Sequence, residues 1–421
     1  YLLVTFFIIF NMDPVGVLIP VTIIGLVTIF SYYFVLSKLF SKEVGLIAAF
    51  LYAVLLSTVN FDRWVVPTVS TSLWSIWYFY VLLLIARGKF FIFPLLGILI
   101  GLIWHIHIAL IPTLIAVVVA IFVSKKFPKI KQILYFALTF SVTSLPLILF
   151  EVKHHFIQTL SFINNFGLKQ PGGPEGLYRF QVVWETLTKN LNELLFSPLS
   201  FNITKNVLFT ILFLLVPIFL TRKKILSAKE LISIYAWVIG ILLFFSISSS
   251  PISEYYFANL RVIFLTIISL ILFFLFKISK FGKMLVISLL CLLVLKNIYF
   301  LISQDSYLKG YAERKTTAQF ITSDAKSKGF PCIGINYITS PGENVGFRYF
   351  FYLNNTHLVR PSNDVPVYSI VIPDEYSPEV TQKFGHIGII PPAKFPDKKI
   401  LEKNCQTPNI NLTDPMFGYV Q

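Results

Sequence analysis

Two pairs of polar residues interrupt long apolar stretches in the first half of the chain. Asp62 and Arg63 follow one apolar run, and His105 and His107 lie inside another. Ionisable residues in such places are functional candidates, because burying them in hydrocarbon is costly. A guanidinium suits phosphate, and imidazole binds phosphate when protonated or a metal when neutral. The structural alternative is an arginine beside a tryptophan of the interfacial aromatic belt, with histidines that cap a helix break.

Two further polar groups lie next to later apolar runs. Lys153 and His154 begin a long polar segment and could hold an anionic headgroup, although a solvated basic patch is the commoner case at a membrane interface.

The second group is Glu254, Tyr255 and Tyr256, with Arg261 about two helical turns further on. It offers a carboxylate, two phenols and a guanidinium near one surface. Tyrosines are ordinary in aromatic belts, whereas an arginine near the end of a span is less ordinary.

Familiar motifs of soluble enzymes are absent from the sequence. It contains no Walker A loop, no dinucleotide-binding fingerprint, no Gly-x-Ser-x-Gly and no His-Glu-x-x-His. ATP-driven transport by this chain alone is therefore not expected.

The elements that carry these residues are predicted to be membrane helices. Of the 421 residues, 56% are hydrophobic and 13% are charged, against about 25% charged in soluble domains. Uncharged apolar runs predict a polytopic α-helical membrane protein with about ten spans. The predicted spans are 14–36, 44–60, 70–86, 90–104, 107–123, 133–150, 205–221, 231–248, 260–276 and 284–302.

The uncharged run 90–123 is too long for one crossing, since such a helix would rise about 50 Å against a hydrocarbon core of about 30 Å. We predict two short helices with a break between Trp104 and His107. All five basic clusters of the short loops then fall on one side, which the positive-inside rule makes the cytoplasm. The net charge of +15 thus indicates membrane topology rather than a nucleic-acid partner.

This orientation places the polar candidates on the outer face, together with an extracytoplasmic loop, 151–204, and a C-terminal domain, 303–421. Amphipathic patches at 156–166 and 180–195 predict helices at the membrane interface.

The C-terminal domain is predicted to be a small extracytoplasmic α/β domain. We expect helices at 311–328 and 344–353 and strands at 332–338, 367–372 and 387–390. Cys332 and Cys405 form a disulfide if the domain is extracytoplasmic, and two free thiols are the alternative.

The membrane region, 1–302, resembles the GT-C superfamily of membrane glycosyltransferases. It is most similar to the branch with protein O-mannosyltransferases and the lipid A aminoarabinose transferase (glycosyltransferase family 39-like). The likeness is carried by Tyr1 to Phe40 with the following Ser-Lys-Glu, Val44 to Trp64, Phe93 to Leu114 with its Trp-His-Ile-His break, Leu149 to His155, and Tyr255-Tyr256.

The resemblance implies transfer of a sugar from a polyprenyl-phosphate donor to a lipid, glycan or protein acceptor, at the outer face of a bacterial plasma membrane. It implies a catalytic acid in the family's first outer loop, and that loop would lie upstream of Tyr1. The chain is therefore expected to be an N-terminally truncated fragment whose catalytic residue is unknown. Asp13, the nearest acid, is expected to be only a helix N-cap.

Within this resemblance, Arg63, His105, His107 and Arg261 are expected to bind the donor phosphate. Substrate-lining roles are expected for Asp62, Lys153, His154, Glu254, Tyr255 and Tyr256. No metal ligand or certain cofactor is assigned, and a divalent metal is left open.

Three other functions compete with glycosyl transfer. A lipid or glycan transporter is the first, but neither internal repeats nor midplane charges are visible. A glycan polymerase or ligase would differ in using a diphosphate donor. A structural scaffold is the third.

Overall fold

The chain divides into two compact units, Tyr1–Ile302 and Ser303–Gln421, at the point where the apolar runs end. The computed structural model describes residues 2–165, 176–199, 201–248, 252–303, 308–340, 342–362, 364–393, 397–413 and 419–420. Part of the predicted outer loop, residues 166–175 and 200, lies outside this description.

The first unit is helical throughout its described residues. Its α-helices are α1 Leu2–Ile9, α2 Leu18–Leu39, α3 Lys42–Val54, α4 Leu56–Asp62, α5 Thr71–Ala86, α6 Phe93–Ile106, α7 Leu114–Ser124, α8 Ile130–Lys153, α9 Ile157–Asn165, α10 Gly176–Phe196, α11 Val207–Arg222, α12 Ala228–Ile247, α13 Arg261–Ile278 and α14 Lys280–Ser303. Short 3₁₀ turns precede several of them, at Pro14–Val17, Pro67–Ser70, Phe90–Ile92, Ile108–Thr113 and Glu254–Leu260.

Six helical segments are long and apolar enough to cross a membrane, counting only the described part of the chain. They are Pro14–Leu39, Pro67–Ala86, Ile130–Lys153, Ala228–Ile247, Glu254–Ile278 and Lys280–Ser303. The pair α3 and α4 makes a seventh if its bend of 68° is counted within one span.

The predicted count of ten spans is not confirmed. The three remaining segments, Phe90–Ile106, Ile108–Ser124 and Val207–Arg222, are shorter apolar helices. Each rises only about 25 Å, less than a hydrocarbon core of about 30 Å. The break predicted in 90–123 is present: α6 ends at Ile106, and His107 has an extended backbone.

The bend between α3 and α4 is stabilised by side chains that donate hydrogen bonds to the backbone carbonyls near the bend. Leu55 is extended, so the helical ladder stops there. The Thr58 hydroxyl donates to the carbonyl of Tyr52 at 2.6 Å, and the Asn297 amide of α14 donates to the carbonyl of Val54 at 2.7 Å. Such compensation is what permits a broken helix in an apolar environment. The bend sets the direction of α4, which carries Asp62 at its end.

Helices α6 and α8 pack closely through small residues. Alanines in place of Gly97 and Gly101 would have Cβ atoms only 2.2 and 2.0 Å from the hydroxyl oxygens of Thr139 and Thr143. A glycine at every fourth position lets two apolar helices approach closely. Most of the remaining surface of α8 is exposed and apolar, as expected of a helix that faces lipid.

Amphipathic helix α10, predicted at 180–195, packs its inner face on the bundle. Val183, Leu187 and Leu191 are fully buried, while Leu177 and Tyr178 at its start are exposed. The helix contacts α4, α11, α12 and the turn that precedes α13. It therefore lies over the end of the bundle where Asp62 and Arg261 are found.

The second unit is a small α/β domain, with strands close to the predicted ones. Its strands are β1 Ile333–Thr339, β2 Leu358–Val359, β3 Val367–Ile372, β4 Gln382–Phe384, β5 Ile387–Ile390 and β6 Tyr419–Val420, and its helices are α15 Tyr311–Ser327, α16 Phe347–Leu353, α17 Lys398–Asn404 and α18 Ile410–Thr413. The sheet order is β2-β1-β3-β5-β4, with β6 also paired to β1. Strands β1, β2, β3 and β6 pair in parallel, and β5 pairs antiparallel with β3 and β4.

A disulfide joins Cys332, just before β1, to Cys405, just after α17. It decides the alternative that the sequence left open between a disulfide and two free thiols. Cys291 of α14 is a free, exposed cysteine.

Candidate functional site

Asp62 is held in place at the end of α4 by a hydrogen bond from α3. The phenolic hydroxyl of Tyr52 donates to Asp62 Oδ1 at 2.8 Å. Gly25 of α2 makes room for the carboxylate, because a Cβ at that position would lie 3.2 Å from Asp62 Oδ2. Three helices thus position this side chain.

Arg261 begins α13 and is only 9% exposed. Its guanidinium carbon lies 4.3 Å from the centre of the Phe61 ring, in a cation–π contact. Its Nε and Nη1 atoms have no hydrogen-bond partner among the described residues. An unsatisfied buried donor typically costs about 1–3 kcal/mol, and more when it is charged. Arg261 therefore has two N–H groups ready for an acceptor.

Two tyrosines complete what we call the Arg261 cluster: Tyr32, Tyr52, Asp62 and Arg261. The Tyr32 and Tyr52 rings stack with their centres 4.7 Å apart, and both side chains are buried. Asp62 and Arg261 are close enough to interact through their charges, and both act on the two phenols.

The sequence predicted Asp62 and Arg261 as site residues but missed Tyr32 and Tyr52. The signal that could have found them is a polar phenol inside an otherwise apolar run, at 14–36 and at 44–60.

An aromatic wall stands beside the cluster, formed by Trp64, His107, Tyr255 and Tyr256. Ring centres are 6.0 Å apart for Trp64–Tyr255, 5.4 Å for His107–Tyr255 and 5.1 Å for His107–Tyr256. His107 Nδ1 accepts a hydrogen bond from the Ala109 N–H at 3.1 Å, so a neutral ring carries its proton on Nε2. Residues predicted from three separate segments are thus neighbours.

His105 has different neighbours from His107. Its Nε2 atom lies 3.0 Å from the Thr143 carbonyl of α8 and must donate, because a carbonyl only accepts. This contact fits the structural alternative, a histidine that supports the helix break. Arg63 follows Asp62 directly in the chain, and its residue is exposed.

Lys153 and His154 lie at the C-terminal end of α8. The polar contacts around them are separate from those of the Arg261 cluster. The His154 ring packs 4.3 Å from the Phe150 ring. Glu151 is buried, and its carboxylate accepts hydrogen bonds from the N–H groups of Gln158 and Thr159 in α9. These contacts order the α8–α9 connection, and none of them joins the Arg261 cluster.

Asp13 has the helix-capping role expected of it. Its carboxylate accepts a hydrogen bond from the Val15 N–H at 2.9 Å, at the start of a 3₁₀ turn.

Charged residues of α10 reach the same end of the bundle. Lys189 forms an ion pair with Glu254, and the Asn190 amide donates to the Glu254 carbonyl at 3.1 Å. Glu193 lies 4.0 Å from Lys189 and interacts electrostatically with Arg261. Burial raises the pKa of Glu193, the Glu254 carboxylate raises it further, and Lys189 and Arg261 oppose this rise. Glu193 was not among the site residues predicted from the sequence.

The described residues contain no group of three or more His, Cys, Asp or Glu side chains placed to hold a metal ion.

No protein-family model, curated protein or solved structure matches the chain.

Proposed function

We propose that this chain transfers a sugar from a polyprenyl-phosphate donor to an acceptor hydroxyl, and that Arg261 binds the donor phosphate. The observation that carries the proposal is a nearly buried arginine, two of whose guanidinium nitrogens have no hydrogen-bond partner within the described part of the chain. A phosphate offers several acceptor oxygens and a negative charge, and arginine binds it in a fork with two parallel hydrogen bonds.

The reaction follows from that contact. The acceptor oxygen attacks the anomeric carbon, the bond from this carbon to the phosphate oxygen breaks, and the polyprenyl phosphate leaves with the bonding electron pair. Arg261 stabilises the negative charge that grows on the leaving phosphate, which is the usual role of a pre-positioned cation in group transfer. The acceptor proton must pass to a base.

The surroundings of Arg261 suit a lipid-linked sugar phosphate. Asp62 supplies a counter-charge when no donor is bound, and Tyr52 holds that carboxylate in place. Within the aromatic wall, Trp64, Tyr255 and Tyr256 offer ring faces on which a sugar can stack. Exposed apolar helices such as α8 provide a hydrocarbon-facing surface for the polyprenyl chain.

Two observations support an outer-face location for this chemistry. The basic clusters lie at the opposite ends of the helices from Asp62 and Arg261, as expected if those clusters face the cytoplasm. The disulfide of the second unit is typical of oxidising, extracytoplasmic compartments.

The test is a transfer assay in membranes that contain the full chain. Radiolabelled polyprenyl-phosphate sugars are supplied, and label is followed into lipid, glycan and protein fractions. We expect transfer by the wild type, its loss in Arg261→Gln, and its retention in Arg222→Gln, a change at an exposed arginine at the far end of α11. Donor movement across the bilayer without transfer would overturn the proposal in favour of a transporter.

A further inference from the structure

A cavity of about 550 Å³ lies along the outer side of α10. Its lining includes two carboxylates, two ammonium groups, a hydroxyl and an amide, contributed by Glu185, Glu193, Lys189, Lys205, Thr188 and Asn192. The four charged groups sum to zero formal charge. Hydrogen-bond donors and acceptors thus line a space without a net charge, next to the apolar side chains of Pro198 and Leu199.

This lining favours a neutral ligand with many hydroxyl groups. A lining without net charge gives an anionic ligand no net attraction, and an apolar ligand would leave the charged groups without water or partners. A sugar hydroxyl both donates and accepts, so it can pair with carboxylate, ammonium and amide groups together. The volume is in the range typical of small-molecule sites.

One wall residue connects the cavity to the Arg261 cluster. Glu193 lines the cavity and interacts through its charge with Arg261. Lys189, next to it in the lining, is paired with Glu254 at the start of the turn that leads to Arg261. Helix α10, which carries Glu193, also contacts α13, the helix that begins at Arg261, so the cavity lies close to the proposed donor site.

We propose that this cavity binds a glycan acceptor and that Glu193 takes the proton from the acceptor hydroxyl. The inference rests on the proposed function, since it supplies the base which that reaction needs. The hydroxyl oxygen forms a bond to the anomeric carbon as its proton moves to a Glu193 carboxylate oxygen. The polyprenyl phosphate departs with the electron pair of the broken bond, so atoms and charge balance.

The raised pKa of Glu193 makes its carboxylate a stronger base than an ordinary glutamate. Burial and the nearby Glu254 carboxylate raise its pKa above the ordinary value for glutamate, about 4.3. A base acts only when ionised, so the rate rises as the pH increases through this raised pKa. The positive charges of Lys189 and Arg261 act in the opposite direction and lower the pKa of Glu193.

The experiment compares Glu193→Gln with Glu185→Gln, which changes the other carboxylate of the same cavity. Transfer to neutral oligosaccharides is measured over a range of pH. For Glu193→Gln we expect kcat to fall by about 10²-fold or more, little change in the KM for the donor, and loss of the acid limb of the pH profile. For Glu185→Gln we expect only a several-fold rise in the KM for the acceptor.

Two further measurements keep the outcomes separate. If Glu193→Gln does not fold, Glu193→Asp replaces it, and a retracted carboxylate is expected to lower kcat while keeping the acid limb. Equilibrium binding of radiolabelled neutral oligosaccharides is measured in parallel, with the wild type and with Lys205→Gln.

Wild-type kinetics in Glu193→Gln, beside a loss of transfer in Arg261→Gln, would overturn this inference and leave the proposed function standing. Transfer of label only to protein or to anionic lipid would overturn the glycan acceptor. A wild type that neither transfers sugar nor binds oligosaccharide would overturn both proposals. Binding without transfer would overturn the proposed function together with the role of Glu193 as a base, and would leave only the glycan site.

Discussion

An arginine and a carboxylate lie near one another at each end of the membrane unit, and the two sites differ in how completely their polar atoms are hydrogen-bonded. Arg87, just after α5, donates from Nε to Glu230 Oε1 at 2.6 Å and from Nη2 to the Leu39 carbonyl at 3.1 Å. The other oxygen of Glu230 accepts from the Ser227 N–H at 2.7 Å. This pair ties together the ends of three helices.

The polar atoms of the Arg261 cluster are hydrogen-bonded less completely. Asp62 takes its hydrogen bond from Tyr52, and two nitrogens of Arg261 have no partner among the residues described. Breaking a fully paired buried ion pair is costly because it leaves an uncompensated charge, whereas an incompletely paired buried charge is itself a cost that persists where function needs it. The comparison indicates a structural role for the Arg87–Glu230 pair and agrees with the binding role proposed for Arg261.

The largest effect is expected from Arg261→Gln. Losing one pre-positioned charge at the leaving phosphate should lower the transfer rate by about 10²–10³-fold. The free energy of unfolding should stay the same or increase, because an unsatisfied buried charge is removed. Both are measured on one preparation, by transfer assay and by unfolding in detergent micelles. A large loss of stability would show that Arg261 is structural.

Arg87→Gln should give the reverse pattern. Glu230 is buried, so removing its partner should lower the free energy of unfolding by about 3 kcal/mol. The transfer rate per folded molecule should stay unchanged. Denaturant unfolding provides the measurement, and the double variant with Glu230→Gln should recover part of the loss. If Arg87→Gln were as stable as the wild type, the Arg87–Glu230 pair would have no structural role, and its contrast with the Arg261 cluster would be lost.

A smaller effect is expected from Tyr52→Phe. The change removes the hydrogen bond to Asp62 and should cost about 1 kcal/mol of stability. Tyr33→Phe, at the exposed tyrosine next to Tyr32, is the matched control and should change nothing measurable. Thermal unfolding of both variants tests whether Asp62 depends on α3 for its position.

The smallest effect is expected from Asp62→Asn. The amide oxygen keeps the hydrogen bond from Tyr52, while the negative charge beside Arg261 disappears. Removing the carboxylate charge near Arg261 should strengthen phosphate binding by about 1 kcal/mol, so polyprenyl phosphate should inhibit this variant at about fivefold lower concentration. Unchanged or weaker inhibition would mean that Asp62 orients Arg261 for phosphate rather than opposing it.

The sequence predicted much of the fold, because local patterns decide much of it. Uncharged runs located the helices, a run too long for one crossing predicted the break near His107, and β-branched runs located three strands of the second unit. The number of spans was not confirmed, because apolar composition does not fix where a helix starts and stops. Three of the predicted spans form apolar helices that are shorter than a membrane crossing requires.

The candidate site was predicted only in part. Five of the predicted site residues were chosen as single polar residues next to apolar runs. They lie on elements that pack beside one another, and they are Asp62, His107, Tyr255, Tyr256 and Arg261. His105 and His154 were chosen by the same rule, yet they contact α8 and Phe150 instead. A polar residue near a helix end has no preferred direction that sequence spacing alone can reveal.

Sequence by itself determined the apolar helices, the α/β character of the second unit and the polar residue types available for chemistry, since each depends on composition and short-range periodicity. Only the tertiary structure decided which of those residues meet. Tyr52 reaches Asp62 because the chain bends at Leu55, and the bend is stable because Asn297, far along the chain, pairs with the carbonyl that it frees. Counting the described residues alone, two nitrogens of Arg261 have no partner, because the packing of α13 buries the side chain beside Phe61 rather than beside a full set of acceptors.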